Sequence, residues 1–311
     1  MTTLQLPTRE DVERARATIG DRLARTPMLT NRTIGARLKA ELFQRTGSFK
    51  SRGALNKMSS LSDEEKRRGV IAISAGNHAQ AAAFAAAAEN VDALVVMWQG
   101  ASEQKIAATR GYGAHVDLEA SGPGDAFDRL HELIEETGRT LVHPFDDPLV
   151  IAGAGTVGLE IEEQAPDADV IVVPVGGGGL ISGIQTALAG HPTMRVVAVE
   201  PETSTALHTG LEHGRPTPVT PTSIADGLNA PFAGRHVLEI CKSIERVLVT
   251  EDEIEHAFRL LYQRAKLAVE PAGAAAAAAW LAGKIEARNP VLLASGGNVA
   301  GQTAAAILAR P

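Results

Sequence analysis

Four consecutive glycines are the feature of this sequence that most directly indicates a binding site. They occupy positions 176–179, directly after the apolar run 172–175 and before Leu180, where a helical pattern begins. Because glycine has no Cβ, such a turn can point several backbone N–H groups at one ligand. The dipole of the following helix favours an anion there, most often a phosphate. The alternative is a plain flexible turn between a strand and a helix, but four glycines at this junction favour the anion site.

Two further turns repeat this design of a buried strand, a glycine-containing turn and a helix. One is I-A-I-S-A-G-N-H at 71–78, in which Asn77 is placed to cap an alanine-rich helix, and the other is L-L-A-S-G-G-N at 292–298. Ligands of open α/β sheets bind at the carboxyl ends of the strands, which is where such turns lie. A dinucleotide site is disfavoured, because 176–181 reads G-G-G-G-L-I, and a P-loop motif is absent from the sequence.

Composition restricts the class of protein. Of the 311 residues 44% are hydrophobic and 22% are charged, which is typical of a globular domain rather than a disordered or fibrous chain. The net charge of −7 and an aromatic content of only 4% argue against nucleic-acid and anionic-membrane partners. Cys241 is the single cysteine, so a disulfide framework is excluded and we interpret it as an inert packed thiol. With no apparent signal segment or long apolar run, we expect a cytoplasmic protein.

The elements that must position these turns alternate along the chain. Short, uninterrupted apolar runs predict buried parallel strands at 70–74, 93–98, 141–143, 170–175, 196–200 and 291–295. Between them the pattern predicts helices at 63–68, 78–89, 102–111, 124–137, 147–164, 180–188, 252–268 and 272–281. Thr250 and Glu253 form a capping-box spacing at the start of one helix, and Asp146 and Asp147 are expected to cap another. The alternation predicts an α/β protein with parallel sheets.

Lys50 is a candidate catalytic residue because of the residues next to it in the sequence. On its own, a lysine between a phenylalanine and a serine is more typical of a surface. The string T-G-S-F-K-S-R-G-A at 46–54, however, resembles the signature of pyridoxal-phosphate enzymes of fold type II. S-A-G-N-H-A at 74–79 resembles their substrate and cofactor loop, and 176–179 and 295–298 resemble their phosphate cradle and final cofactor contact. Within that family the chain is most similar to threonine and serine dehydratases and serine racemases, over residues 20–311.

The resemblance implies a tryptophan synthase β-like architecture of two α/β domains with parallel sheets. Residues 1–68 and 147–311 would form the large cofactor-binding domain, and 69–146 a small domain that closes over the substrate. Pyridoxal 5'-phosphate would lie in the cleft between them. The resemblance also implies that the protein is a homodimer or homotetramer and that its substrate is a small amino acid.

The resemblance also assigns roles to individual residues. Lys50 would form the Schiff base with the cofactor aldehyde, between Phe49 on one ring face and Gly227 on the other. Asn77 would bond the ring hydroxyl and Ser295 the pyridine nitrogen. The phosphate would be held by the backbone of Gly176, Gly177, Gly178, Gly179 and Leu180. Glu270 would lie near the ring, and the substrate carboxylate would be held at Ser74, Ala75, Gly76, Asn77 and His78.

The function implied is β-elimination (dehydration followed by deamination) of L-threonine, L-serine or a related β-hydroxy amino acid to a 2-oxo acid and ammonia. A neutral serine at the pyridine nitrogen suits elimination, because a hydroxyl does not stabilise a long-lived carbanion. One alternative is amino-acid racemisation, for which relatives carry a serine where this chain has Ala75. An alternative of another class is a non-catalytic protein that binds the cofactor or another phosphate ligand; that protein would not need Lys50.

Two departures from the family pattern bear on these expectations. The segment 38–45 is several residues shorter than the strand and loop that usually precede the lysine in this family. The backbone geometry before Thr46 is therefore expected to differ from the family pattern, while the assignment of Lys50 is unaffected. Metal-stimulated relatives pair a glutamate with an aspartate six residues later, and here Glu200 is followed by Ala206. We therefore expect no metal site.

Overall fold

Two sheets organise the described part of the chain. In the computed structural model, which describes residues 4–310, these sheets contain six and four strands. The strands are β1 (Met28–Asn31), β2 (Ala36–Ala40), β3 (Val70–Ile73), β4 (Ala93–Trp98), β5 (His115–Ala120), β6 (Thr140–Leu141), β7 (Val170–Pro174), β8 (Arg195–Pro201), β9 (Glu245–Val249) and β10 (Pro290–Ala294).

Helices connect these strands and cover the sheets. They are α1 (Arg9–Ile19), α2 (Lys50–Ser59), α3 (Asp63–Arg68), α4 (Asn77–Ala88), α5 (Glu103–Gly111), α6 (Pro123–Thr137), α7 (Pro148–Gln164), α8 (Gly179–Ala187), α9 (Ala206–His213), α10 (Arg235–Ile240), α11 (Glu251–Leu260), α12 (Pro271–Leu281) and α13 (Gly301–Leu308). Within residues 4–310, none of these helices has the length and apolarity needed to cross a membrane.

The larger sheet has the strand order β1-β2-β10-β7-β8-β9, and only the edge pair β1–β2 is antiparallel. Its central strands β7 and β10 are buried at every residue, which explains why their sequences are continuously apolar. Apolar side chains of α11 and α12 pack on one face, and those of α7, α8 and α10 on the other. The predicted α/β class with parallel sheets is confirmed.

The smaller sheet, β5-β4-β3-β6, is parallel throughout. All four of its strands lie between Val70 and Leu141, inside the segment for which an inserted domain is expected. Helix α4 packs against α2 and β3, and its alanines bring these backbones close together. The domain boundaries at 69 and 146 stay a prediction.

One predicted helix is too long. The pattern at 252–268 predicts a single helix, but α11 ends at Leu260 and one π-helical turn continues to Ala265. Lys266 then adopts a left-handed conformation with φ of 60°, which a continuing helix does not accommodate. The start of α11 is as predicted, because Glu253 N–H donates to Thr250 Oγ1 at 3.2 Å and Thr250 N–H donates to Glu253 Oε2 at 2.8 Å.

Candidate active site

Lys50 begins α2 with its amine inside the protein. Its Nζ donates to the carbonyl oxygen of Pro144 at 2.8 Å and lies 5.2 Å from the centroid of the Phe49 ring. Burial lowers the pKa of Lys50 to about 8, against a smaller opposing effect from the Glu270 carboxylate. A buried amine of this kind is neutral often enough at ordinary pH to act as a nucleophile or base.

A buried network of ion pairs fixes the helix that carries Lys50. Arg52 donates from Nε and Nη2 to the two carboxylate oxygens of Glu41, both at 2.8 Å, and from Nη1 to Glu160 at 2.7 Å. Lys39 completes the network at the other Glu160 oxygen, 2.5 Å away. Two cations and two carboxylates therefore balance in the interior and tie α2 to β2 and α7, as buried charges require.

The short segment between β2 and Lys50 is fixed by side-chain hydrogen bonds to the backbone. After β2 the chain makes two short 3-10 turns, and Thr46 takes a left-handed φ of 62°. Gln44 fixes these turns, because its side-chain amide exchanges two hydrogen bonds with the backbone of Ala24, at 3.0 and 2.6 Å.

The four-glycine turn, residues 176–179, has the properties of an anion cradle. Gly178 has a φ of +88°, which favours glycine. Among residues 4–310, no protein acceptor is found for the backbone N–H groups from Gly176 to Ile181. A Cβ built on Gly177 or Gly178 would lie 2.2 or 2.3 Å from a neighbouring side chain, and one on Gly176 or Gly179 would lie 3.0 Å from neighbouring backbone, so the turn is closely packed on its protein side. Unpaired N–H groups at the start of α8 fit the phosphate of pyridoxal phosphate.

Asn77 does not cap α4, contrary to the prediction. Gly76 is the N-cap residue and Asn77 is the first residue of the helix. Its side chain instead points across the site, where Nδ2 donates to Glu270 Oε1 at 2.6 Å and Oδ1 accepts from Asn298 Nδ2 at 2.8 Å. The second hydrogen of Asn77 Nδ2 is free of these bonds, so the amide can still donate to a ligand.

Glu270 is the buried carboxylate of the site. Burial raises the pKa of Glu270 to about 7, and the Asp226 carboxylate adds to that rise. A Cβ built on Gly296 would lie 2.3 Å from Glu270 Oε1, and one on Gly227 would lie 3.7 Å from it. The structure thus brings together the expected residues Asn77, Gly227 and Glu270.

The S-A-G-N-H turn, residues 74–78, lies between β3 and α4 and is partly exposed up to Asn77. Ser74 Oγ accepts from the Gly76 N–H at 3.0 Å. His78, in contrast, is buried, and its Nε2 donates to the carbonyl oxygen of Val142 at 2.8 Å. Burial lowers the pKa of His78 to about 3, so the ring is neutral. Its imidazole is a packed, satisfied group, and only its backbone N–H is placed at the open start of the helix.

Ser295 lies next to Phe49, the residue before Lys50. Its carbonyl oxygen accepts from the Phe49 N–H at 3.1 Å, and the neighbouring residues Ser48 and Gly296 form a β-bridge. The residue is 4% exposed, and within the described chain its Oγ has no hydrogen-bond partner. Its hydroxyl is therefore available to a ligand atom.

Sequence reasoning missed the part that Pro144 and Phe145 play in the site: the Pro144 carbonyl accepts from Lys50, and Phe145 packs behind the glycines. A backbone carbonyl has no residue-type signature, so nothing in the sequence marks Pro144. Asp147 caps α7 as predicted, accepting from Leu149 N–H at 2.8 Å. Asp146 does not, because its carboxylate caps α10 instead.

Glu200 and Cys241 are two further residues for which an expectation follows from the sequence. Both Glu200 oxygens accept backbone N–H groups at the start of α9, from Leu207 at 2.7 Å and His208 at 2.9 Å. Burial raises the pKa of Glu200 to about 7. Cys241 is buried, and burial raises the pKa of its thiol to about 12, in agreement with an inert thiol. In residues 4–310 no group of three or more His, Cys, Asp or Glu residues could hold a metal ion.

Comparison with known proteins gives consistent matches. The family model described as pyridoxal-phosphate dependent enzyme matches residues 19–297. The catabolic L-threonine dehydratase TdcB of Escherichia coli K12 is 42% identical over 304 residues, covering 93% of this chain and 92% of the relative. The crystal structure of a threonine deaminase from T.th. has a TM-score of 0.88 at 40% identity, covering 94% and 99% of the two chains. Maize serine racemase has a TM-score of 0.90 at 33% identity and covers 96% of both.

Proposed function

The chain belongs to the family of pyridoxal-phosphate-dependent enzymes, and from this premise we propose that it deaminates L-threonine, L-serine or a close β-hydroxy amino acid by β-elimination of the hydroxyl, with ammonia as the second product. The product is the corresponding 2-oxo acid. The observation that carries the proposal is the position of the Lys50 amine, 2.8 Å from the Pro144 carbonyl oxygen and 5.2 Å from the centroid of the Phe49 ring, with its pKa lowered to about 8. A protein that merely binds the cofactor needs no such amine. The resemblance to threonine dehydratases over nearly the whole chain gives the substrate class.

Each part of the cofactor has a residue to hold it. Lys50 would take the aldehyde, the backbone of residues 176–180 the phosphate, and Ser295 the pyridine nitrogen. Asn77 would donate to the ring hydroxyl, and Phe49 and Gly227 would lie on opposite ring faces. The free N–H groups, the free Asn77 hydrogen and the free Ser295 hydroxyl support these roles.

The reaction needs one proton acceptor and a fixed substrate. The bound cofactor supplies an electron sink that makes the Cα proton of the substrate acidic. Once the substrate amine has replaced Lys50 at the cofactor aldehyde, the freed Lys50 Nζ would accept that proton, and the open backbone N–H groups at the start of α4 would bind the substrate carboxylate. The Cβ hydroxyl would then leave as water with the proton returned from Lys50 Nζ, and hydrolysis of the unsaturated amino acid would take up one water to give the 2-oxo acid and ammonia. Because the Ser295 hydroxyl is neutral, it would not stabilise a long-lived carbanion at Cα. The electron pair of the broken Cα–H bond is therefore better used to expel the hydroxyl from Cβ.

A panel of β-hydroxy amino acids tests this function. The purified enzyme, saturated with pyridoxal phosphate, is assayed for 2-oxo acid and for ammonia in equal amounts. Equal release from L-threonine or L-serine is expected. A protein that binds the cofactor and releases neither product would favour the non-catalytic alternative.

Ser295→Ala should leave cofactor binding largely intact and lower turnover about tenfold. Loss of one hydrogen-bond partner costs about 1 kcal/mol or somewhat more, which corresponds to that factor in rate. Absorbance titration measures the binding and single-substrate kinetics the turnover. Ser295→Thr, which keeps the hydroxyl, should recover part of the rate, and an alanine variant with full turnover would exclude Ser295 from the site.

Treatment with a chelator should not reduce activity. Magnesium and calcium need several oxygen ligands, and both Glu200 oxygens already accept N–H groups of α9, while Ala206 offers no carboxylate. Glu200→Gln should instead lower the free energy of unfolding by about 1 kcal/mol, the usual value of a helix cap. Activity that is lost in chelator and restored by magnesium would contradict this, and Glu202 would then be the first residue to examine.

We also propose a homodimer or homotetramer in the cytoplasm, acting on a small molecule and not on nucleic acid or membranes. The net charge of −7 argues against polyanionic partners, and the single buried cysteine needs no oxidising compartment. Light scattering on the purified protein measures the oligomeric state.

A further inference from the structure

The segment 143–147 contacts both ends of the proposed cofactor site. The carbonyl of Pro144 accepts from Lys50 Nζ, which would hold the aldehyde end. The next residue, Phe145, packs against the glycine turn that would hold the phosphate end. One peptide unit therefore separates the group that orients the lysine from the group that supports the anion cradle.

Phe145 lies directly behind the turn. A Cβ built on Gly177 would be 2.2 Å from Phe145 Cδ1, and one on Gly179 would be 3.0 Å from Phe145 Cα. The Phe145 ring is itself held edge-on by His143 and Phe232, with centroids 4.7 and 5.6 Å away. A buried ring between rigid neighbours keeps the glycine backbone from moving away from its ligand.

A second side chain supports the turn from α10. A Cβ built on Gly178 would lie 2.3 Å from Val237 Cγ1. Helix α10 is fixed by Asp146, whose carboxylate accepts from Arg235 N–H and His236 N–H, both at 3.0 Å. The segment that carries Phe145 thus also fixes the helix that carries Val237.

We propose that Phe145 is a positioning residue for the phosphate: by packing behind Gly177 it holds the N–H groups of residues 176–181 in the arrangement that binds an anion. Val237 does the same at Gly178. This inference rests on the proposed cofactor-dependent function and deepens it. Four glycines on their own are the most flexible of turns, so their preorganisation has to come from what packs against them.

Two ligands that differ only by the phosphate test this role. Cofactor-free enzyme is titrated with pyridoxal 5'-phosphate and with pyridoxal, and the ratio of the two dissociation constants is compared between wild type and Phe145→Ala. The ratio should fall about tenfold, the loss expected for one charge-assisted hydrogen bond, while the affinity for pyridoxal stays the same. Phe258→Ala, which removes another buried ring, in α11, should leave the ratio unchanged.

The outcomes separate this inference from the function on which it rests. A wild type without preference for the phosphorylated ligand overturns both. A wild type with that preference, but with the same ratio in Phe145→Ala, overturns the role of Phe145 alone, as does an equal loss of affinity for both ligands. If Phe145→Ala does not fold, Phe145→Leu and Val237→Ala decide by the same ratio.

Discussion

Replacing Lys50 by alanine should abolish both the visible absorbance band of the bound cofactor and the elimination activity. Lys50 is the lysine within T-G-S-F-K, and its amine lies between the Phe49 ring and the Pro144 carbonyl. With a pKa near 8, about one amine in ten is neutral at pH 7, against roughly one in three thousand at the ordinary pKa of 10.5. We expect turnover to fall by at least ~10²–10⁴-fold, the contribution of a positioned proton acceptor.

Lys57→Ala is the matched control for this variant. Lys57 lies on the same helix, but its Nζ pairs with the Asp147 carboxylate at 2.8 Å and not with the Pro144 carbonyl. The control should keep the absorbance band and the activity, and both are measured on protein saturated with pyridoxal phosphate. If Lys50→Ala also keeps them, the assignment of Lys50 is wrong.

The central strands were predictable because burial on both faces leaves a mark in residue type. Strands β7 and β10 are buried at every position and read as continuous apolar runs, so their positions are predicted to within two residues. Strands β1 and β9 lie at the edges of the larger sheet and are only half-buried, and their mixed sequences give no such run. Strand β2 is missed for another reason, since it carries Arg37 and the buried Lys39, whose charge is neutralised by Glu160 on a helix far along the chain.

In the candidate site, too, some features could be predicted from the sequence and others could not. The glycine turn and the lysine string are visible because each has an unusual composition. The partners of Asn77 could not be predicted, since Glu270 and Asn298 are distant in sequence and reach it only once β10 and α12 are in place. Likewise, a phenylalanine after a strand reads as ordinary core. Its contact with Gly177 is a property of packing and leaves no local pattern.

The enzyme should eliminate and not racemise, and Ala75 is the reason. Inversion at Cα requires one group to remove the proton from one face and another to deliver a proton to the opposite face. Lys50 would serve one face in either reaction. In racemases that the chain resembles, the other group is a serine hydroxyl at the position of Ala75, where a methyl group carries no transferable proton. Ser74 is a poorer substitute, because its Oγ already accepts from the Gly76 N–H and would face the proposed carboxylate site.

The measurement follows both reactions in heavy water. The enzyme is incubated with L-serine or L-threonine, and the remaining amino acid is resolved by chirality while 2-oxo acid is counted. We expect D-serine or D-allo-threonine to form far more slowly than the 2-oxo acid, since a loosely held water forfeits much of the ~10²–10⁴-fold of a positioned acid. Ala75→Ser should raise the trace of racemisation, and Ala87→Ser, an exposed position on α4, should not. Inversion as fast as elimination in the wild type would overturn this choice and make the racemase alternative the better description of the site.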